Sequence, residues 1–224
     1  MLHMYPIGLF IFDLDGTLVD TLDDITASVN YTLTRLGKRP LPKETVRGLV
    51  GDGLEMLLIR ALGGSTEMLT DAIGIYTVHH SRNLVARSRL YPGVAETLEY
   101  FSSVPMAVIT NKTHGFSEPL LQALSIRRYF RMIIGADNGL PLKPAPDSVL
   151  AVMQKMGASK GCTVIVGDGT TDMKAGRAAG IKTCAATYGF RSEDVLKATG
   201  PDYMIREFSE LRRLFLPGPL GSPL

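Results

Sequence analysis

Short apolar runs alternate with amphipathic segments along most of this chain, and the alternation predicts an α/β protein built on a parallel sheet. Two further observations refine that expectation. The runs are apolar at consecutive positions, as strands covered by helices on both faces must be. One long stretch near the N-terminus has helical spacing only, which predicts an inserted all-helical domain. The first strand candidate covers residues 7–12 (IGLFIF). Residues 106–109 (MAVI), 132–134 (MII) and 163–166 (TVIV) follow, then the weaker 182–185 (KTCA) and 203–205 (YMI). Amphipathic segments at 92–103, 115–124, 146–156 and 171–179 lie between them and supply right-handed crossovers.

From about residue 21 to residue 89 no strand is evident. Ile25, Val29, Leu33 and Leu36 recur at helical spacing, as do Leu54, Leu57, Leu58 and Leu62, then Leu69, Ile73, Tyr76 and His80. Gly37, Pro40, Pro42, Gly51, Gly53, Gly63 and Gly64 punctuate them. The expected organisation is a discontinuous core over residues 1–19 and 90–215, a helical insert over 20–89 and a mobile tail over 216–224 (LPGPLGSPL). No internal repeat is evident.

Composition narrows the function classes. The 224 residues suit one mid-sized domain with a small insert. At 45% hydrophobic and 21% charged the chain is globular rather than disordered. Lys+Arg 24 against Asp+Glu 22 gives +2 with no basic block, which argues against nucleic acid as a partner. No apolar stretch approaches ~18 residues, so no membrane span is expected. The run at 7–12 has neither a basic flank nor a cleavage site, so it is not a signal peptide. Cys162 and Cys184 lie outside any C-x-x-C pair. They read as buried packing in a reducing compartment, and a cytoplasmic location is expected. His79 and His80 are adjacent on a helical segment and point about 100° apart, so they read as structural.

Chemistry gathers at strand ends. The first strand runs into Asp13-Leu14-Asp15-Gly16-Thr17. Residues two apart on extended chain share a side, so Asp13 and Asp15 can serve one site while Leu14 faces away. Residues 106–109 run into Thr110-Asn111-Lys112, and 163–166 into Gly167-Asp168 with Asp172 four residues on. The strand at 132–134 leads to Lys143 in Lys-Pro-Ala-Pro-Asp147. Ligands of parallel α/β sheets bind beyond the carboxyl ends of the strands. Four carboxylates, a hydroxyl and a lysine would meet there.

These four motifs, in this order and at these spacings, resemble the haloacid dehalogenase (HAD) superfamily, in particular its phosphatase branch. The likeness covers nearly the whole chain, and it implies a Rossmann-like core with a helical cap. It also implies a Mg²⁺-dependent phosphatase acting on a small phosphorylated metabolite. Asp13 would be the nucleophile that forms an aspartyl-phosphate, and Asp15 the general acid and then base. Thr110, Asn111 and Lys143 would hold the phosphoryl oxygens. The metal would bind the Asp13 carboxylate, the Asp15 carbonyl and Asp168, with Asp172 in contact with it or just behind. Charge makes a metal necessary: the four aspartates meet a phosphate monoester of about −2 with only Lys143 to offset them.

Within the superfamily, Gly51-Asp52-Gly53, Tyr91-Pro92-Gly93-Val94 and Pro201-Asp202-Tyr203 resemble the phosphoglycolate phosphatase group. Gly51, Asp52, Gly53 and Arg47 would form a specificity loop in the cap. Lys43, Arg47 and Arg60 are the cap cations that could take the substrate carboxylate. One departure is Gly169, where the fourth motif often carries Ser or Thr. The alternatives are a phosphosugar mutase, a nucleotidase or a pyrophosphatase of the same superfamily, a catalytically inactive binding module, and a receiver-like domain. The last would need neither the insert nor Asp15. Either a monomer or a homodimer is compatible with the sequence.

Overall fold

In a computed structural model, which describes residues 4–221, six strands form one parallel sheet in the order β6-β5-β2-β7-β8-β9. They are β2 (Leu9–Phe12), β5 (Met106–Ile109), β6 (Met132–Ile134), β7 (Thr163–Gly167), β8 (Lys182–Ala186) and β9 (Tyr203–Ile205). The β2 strand lies between β5 and β7, pairing Phe10 with Met106 and with Val164. Its four residues are all buried. Phe10 and Phe12 pack into one apolar layer, and Leu9 and Ile11 into the other. That two-sided burial is why the run is continuously apolar. The helices α5 (Val94–Tyr100), α6 (His114–Ala123), α7 (Asp147–Met156), α8 (Thr170–Ala179) and α9 (Glu193–Lys197) connect the strands.

The helical stretch forms α1 (Leu22–Arg35), α2 (Lys43–Leu49), α3 (Leu54–Ala61) and α4 (Leu69–Arg82). At its base β3 (Val19–Asp20) pairs antiparallel with β4 (Arg89–Leu90), so the chain leaves the sheet and returns at adjacent points. Two-residue strands carry no periodicity, and sequence reading did not foresee them. Asp24, on α1, braces this stem. Its carboxylate accepts the backbone N–H groups of Arg87 and Ser88 and the Ser88 hydroxyl at 2.7–3.0 Å. His79 and His80 do not diverge as their spacing suggested. Both imidazoles swing onto α1, with Nδ1 atoms 3.1 and 3.0 Å from Ser28 Oγ. Cys162 and Cys184 are both buried and free.

The C-terminal segment corrects the expectation of a mobile tail through residue 221; residues 222–224 lie outside the described residues. A short α10 (Leu211–Leu214) leads into β10 (Phe215–Pro217), which pairs in parallel with β1 (Tyr5–Ile7). Gly218 N–H then donates to Ile7 O at 2.8 Å. Prolines are tolerated because this is a two-stranded edge. The same contact explains why the run at 7–12 is broken in two. A Cβ at Gly8 would come within 2.4 Å of Pro219 O, so only glycine admits the returning chain. Phe215 is fully buried, edge-on to Phe10 with ring centroids 5.5 Å apart. Phe215→Ala is therefore expected to cost about 3–5 kcal/mol in urea denaturation. A loss below about 1 kcal/mol would mean that the docked strand contributes little.

Candidate active site

The carboxyl ends of β2, β5 and β7 converge on one cavity of about 120 Å³. Asp13 follows β2 directly, and its N–H donates to Val166 O on β7 at 2.9 Å. Leu14 N–H donates to Asp13 Oδ1 at 2.7 Å, while the Leu14 side chain is buried in the core. Gly16 has φ +85°, and a Cβ there would lie 2.2 Å from Asp168 Oδ2. Glycine is what lets the first loop close against the third strand end.

Lys143 is the hub of this edge. Its ammonium lies 2.9 Å from Asp13 Oδ1 and 2.5 Å from Asp172 Oδ1, and it also donates to Ile109 O at 2.8 Å. Burial alone would lower the lysine, but Asp13 and Asp172 outweigh it and hold the ammonium above its ordinary value. Asp172 lies in the first turn of α8 and is fully buried. Its Oδ2 accepts Gly169 N–H at 2.9 Å, so it caps the helix and anchors Lys143 at once. Asp168 accepts Thr17 Oγ1–H at 2.8 Å and Phe190 N–H at 2.7 Å.

Oxygens of Asp13, Asp168 and Asp172 all lie within 4.8 Å of one another and could hold a metal ion. Burial, with the Asp172 and Asp168 charges, pushes Asp13 up to about 8. Burial, with Asp172, pushes Asp168 up to about 7. An all-oxygen donor set that resists its own ionisation suits a hard divalent cation such as Mg²⁺.

Asp15 faces a second cation. Lys112 Nζ is 3.2 and 3.3 Å from its two carboxylate oxygens, and Thr21 Oγ1 donates to Oδ1 at 2.6 Å. Thr110 accepts Lys112 N–H on its hydroxyl oxygen at 3.1 Å, which leaves its own O–H to donate. The Asn111 side chain differs from expectation. Its Nδ2 donates to Gly51 O and Lys143 O at 2.8 and 2.9 Å, and its Oδ1 accepts Lys143 N–H. With both N–H bonds used, that amide fixes Lys143 and the insert loop and has no donor left for a phosphoryl oxygen.

Gly51, Asp52 and Gly53 reach the cavity wall, joined by Tyr76 from α4. The expected cap cations do not. Arg47 pairs with Glu44 at 3.1 Å, Arg60 with Asp52 at 2.6 Å and Lys43 with Asp23 at 2.6 Å. None of the three lines the cavity, because each finds a carboxylate on the insert itself. The cations that do are Lys112, Lys143 and Arg191, all from the sheet side. Sequence reading passed over Lys112, Thr17, Thr21, Phe190 and Arg191 as site residues. Lys112 and Thr17 sat inside quoted motifs. Phe190 and Arg191 follow β8 in a loop that carries no motif-like signal of its own.

A sequence profile of the haloacid dehalogenase-like hydrolases matches residues 10–186. Phosphoglycolate phosphatase 1 of Pseudomonas aeruginosa is 38% identical over 213 residues, covering 91% of this chain and 78% of the relative. A phosphoglycolate phosphatase of Colwellia psychrerythraea is 35% identical, covering 91% and 94%. A crystal structure from Haemophilus somnus 129PT, described as a predicted phosphoglycolate phosphatase, superimposes with a TM-score of 0.89. It is 28% identical, with 92% of this chain and 97% of that one covered. A haloacid dehalogenase-like hydrolase from Streptococcus pneumoniae superimposes at 0.84 with 29% identity, covering 92% and 97%. With its parallel sheet and its acidic cluster at the strand ends, the chain belongs to the haloacid dehalogenase-like hydrolase family.

Proposed function

We propose that this chain is a Mg²⁺-dependent phosphatase of small phosphate monoesters, working through an aspartyl-phosphate on Asp13, with phosphoglycolate as its substrate. The observation that carries the reading is the Lys143 ammonium set between Asp13 and Asp172 on the cavity floor. The substrate assignment draws on the relatives named phosphoglycolate phosphatase. The helices α1–α4 act as the cap and the sheet as the catalytic core.

The two contacts to Asp13 both fall on Oδ1, which fixes the carboxylate and leaves Oδ2 to form the bond to phosphorus. Asp15 then gives a proton to the leaving oxygen and later takes one from the attacking water. Lys143 and the Thr110 hydroxyl face the phosphoryl oxygens. Asp13, the Asp15 carbonyl and Asp168 would hold the metal, with Asp172 behind them through Lys143. Bound there, Mg²⁺ would neutralise charge on the carboxylates and the phosphate. Lys112 is the cation for the substrate carboxylate. One carbon separates that carboxylate from the ester oxygen, so a group beside Asp15 is within its reach. An anion that takes over Lys112 also frees Asp15 for the reacting oxygen.

Phosphate release from a panel of phosphorylated metabolites tests the activity. With Mg²⁺ the protein should turn over phosphoglycolate without any sugar bisphosphate activator, and chelator should abolish the release. Asp13→Asn should be folded and inactive. Asp15→Asn should accumulate phosphoenzyme, and rapid phosphate release from that variant would remove Asp15 from the mechanism. Lys112→Met should raise KM for phosphoglycolate about tenfold or more, the scale of a lost charge-assisted contact. It should change KM for ethyl phosphate little. Equal effects on both would assign the carboxylate to another group.

Stability of the metal-free protein gives a further check. Asp13 and Asp168 bind protons in the folded chain at pH values where the unfolded chain has released them, from 3.8 up to about 8 and about 7. Their contribution is present in full below that lower value and is lost as pH rises through 7 to 8. In chelator, Tm should therefore fall between pH 5 and pH 8.5. Asp13→Asn should raise Tm at pH 8.5 by several degrees, since ~1 kcal/mol shifts a chain of this size by about 2–4 °C. A lower Tm in that variant would mean that burial and like charge at Asp13 carry no such cost.

A further inference from the structure

We propose that Arg191 is the latch that docks the helical cap on the core, a positioning residue that keeps substrate in the cavity. Arg191 directly follows Phe190, the residue whose N–H is bonded to Asp168 of the acidic cluster. Its Nη2 donates to Val50 O at 2.5 Å, and its Nη1 to Arg47 O and Gly48 O at 3.3 and 3.4 Å. These carbonyls belong to the last turn of α2 and the residue after it, where a helix has no partners of its own for them. They also form the negative end of the helix dipole. A planar guanidinium meets several such acceptors at once, which an ammonium does less well.

The other side of the latch is rigid. One residue before Arg191, Phe190 N–H donates to Asp168 Oδ2 at 2.7 Å. Two residues further back, Tyr188 O–H donates to Thr17 O at 2.9 Å, and Thr17 O–H donates to Asp168 Oδ1 at 2.8 Å. Residues 188–191 are thus one short strip, fixed to Asp168 at one end and to the cap loop at the other. The chain itself joins cap to core at the β3–β4 stem. The stem is the hinge, and Arg191, helped by the Asn111 contact to Gly51 O, closes the far side. Arg191 also lines the cavity, so the latch is part of its wall. Lids of this kind commonly hold substrate and exclude water.

The kinetic half of the test rests on the phosphatase reading; the distance half does not. Spin labels on cysteines introduced at exposed Glu67 in the cap and exposed Lys155 in the core report their separation, the native cysteines being buried. Arg191→Ala should lengthen and broaden the distance distribution. It should raise KM about tenfold while kcat changes less than about threefold. Millimolar guanidinium should reverse both changes, and Arg191→Lys should fall between. An unchanged distance distribution in Arg191→Ala overturns the latch whatever the kinetics. A longer distance with unchanged KM overturns its part in retaining substrate. If the wild-type protein hydrolyses no phosphate monoester, the functional reading falls while the distances still decide the latch.

Discussion

A single buried ammonium, that of Lys143, makes the acidic edge of this sheet possible. Asp13, Asp168 and Asp172 bring their oxygens within 4.8 Å of one another in a region largely closed to water. Like charges at such spacing repel by several kcal/mol per pair even at an effective dielectric of about 20. Lys143 contacts two of the three, and burial first, with the neighbouring carboxylates second, still holds Asp13 and Asp168 above the ordinary carboxylate range. The remaining deficit is a standing demand for positive charge. It favours a divalent ion, and it disfavours a phosphate dianion unless that ion is present. Binding selectivity and folding strain here share one electrostatic origin.

The rest of the fold can be understood as what sustains that strain. The β2 strand has a two-sided apolar burial and parallel neighbours on both flanks, so the loop bearing Asp13 and Asp15 starts from a rigid base. Asp172 is held from its own helix by Gly169 N–H, and Asp168 by Thr17 and Phe190. Asp172 is thus fixed by a neutral donor as well as by charge, and Asp168 by neutral donors. Neutral donors stabilise a carboxylate without competing for the charge that a substrate or metal would meet.

How much of this was legible in the sequence follows from how local each signal is. The strands at 106–109, 132–134 and 203–205 were read to the residue, because a strand buried on both faces writes itself as an uninterrupted apolar run. Three of the four motifs were legible for a similar reason, each being a strand end plus one turn, while Lys143 stands in the longer loop between β6 and α7. The tail was misread because prolines and glycines report what a segment does alone, and docking of Phe215 against Phe10 is a non-local fact. The cap cations were misread on the same ground. Arg47, Arg60 and Lys43 look available in the sequence, and only the folded insert reveals that Glu44, Asp52 and Asp23 already hold them. Asn111 belongs with these: its position was right, but its amide is used on Gly51 and Lys143.

That correction changes how labour is divided between the two parts of the molecule. Among the described residues, every cation lining the cavity comes from the sheet side, while the insert contributes Ile25, Val50, Leu54, Leu57 and Tyr76, with Asp52 already paired. The cap therefore offers shape and apolar cover, not positive charge. On the proposed reading, the core recognises both anionic groups of the substrate and the cap limits what can connect them. A small diacid monoester fits such a site because both its charges fall within reach of one strand-end edge. A longer phosphate ester would have to push its neutral part against Leu54, Leu57 and Tyr76. Size discrimination then resides in whether the cap can remain docked, which is why contacts between the two parts matter as much as contacts to the substrate.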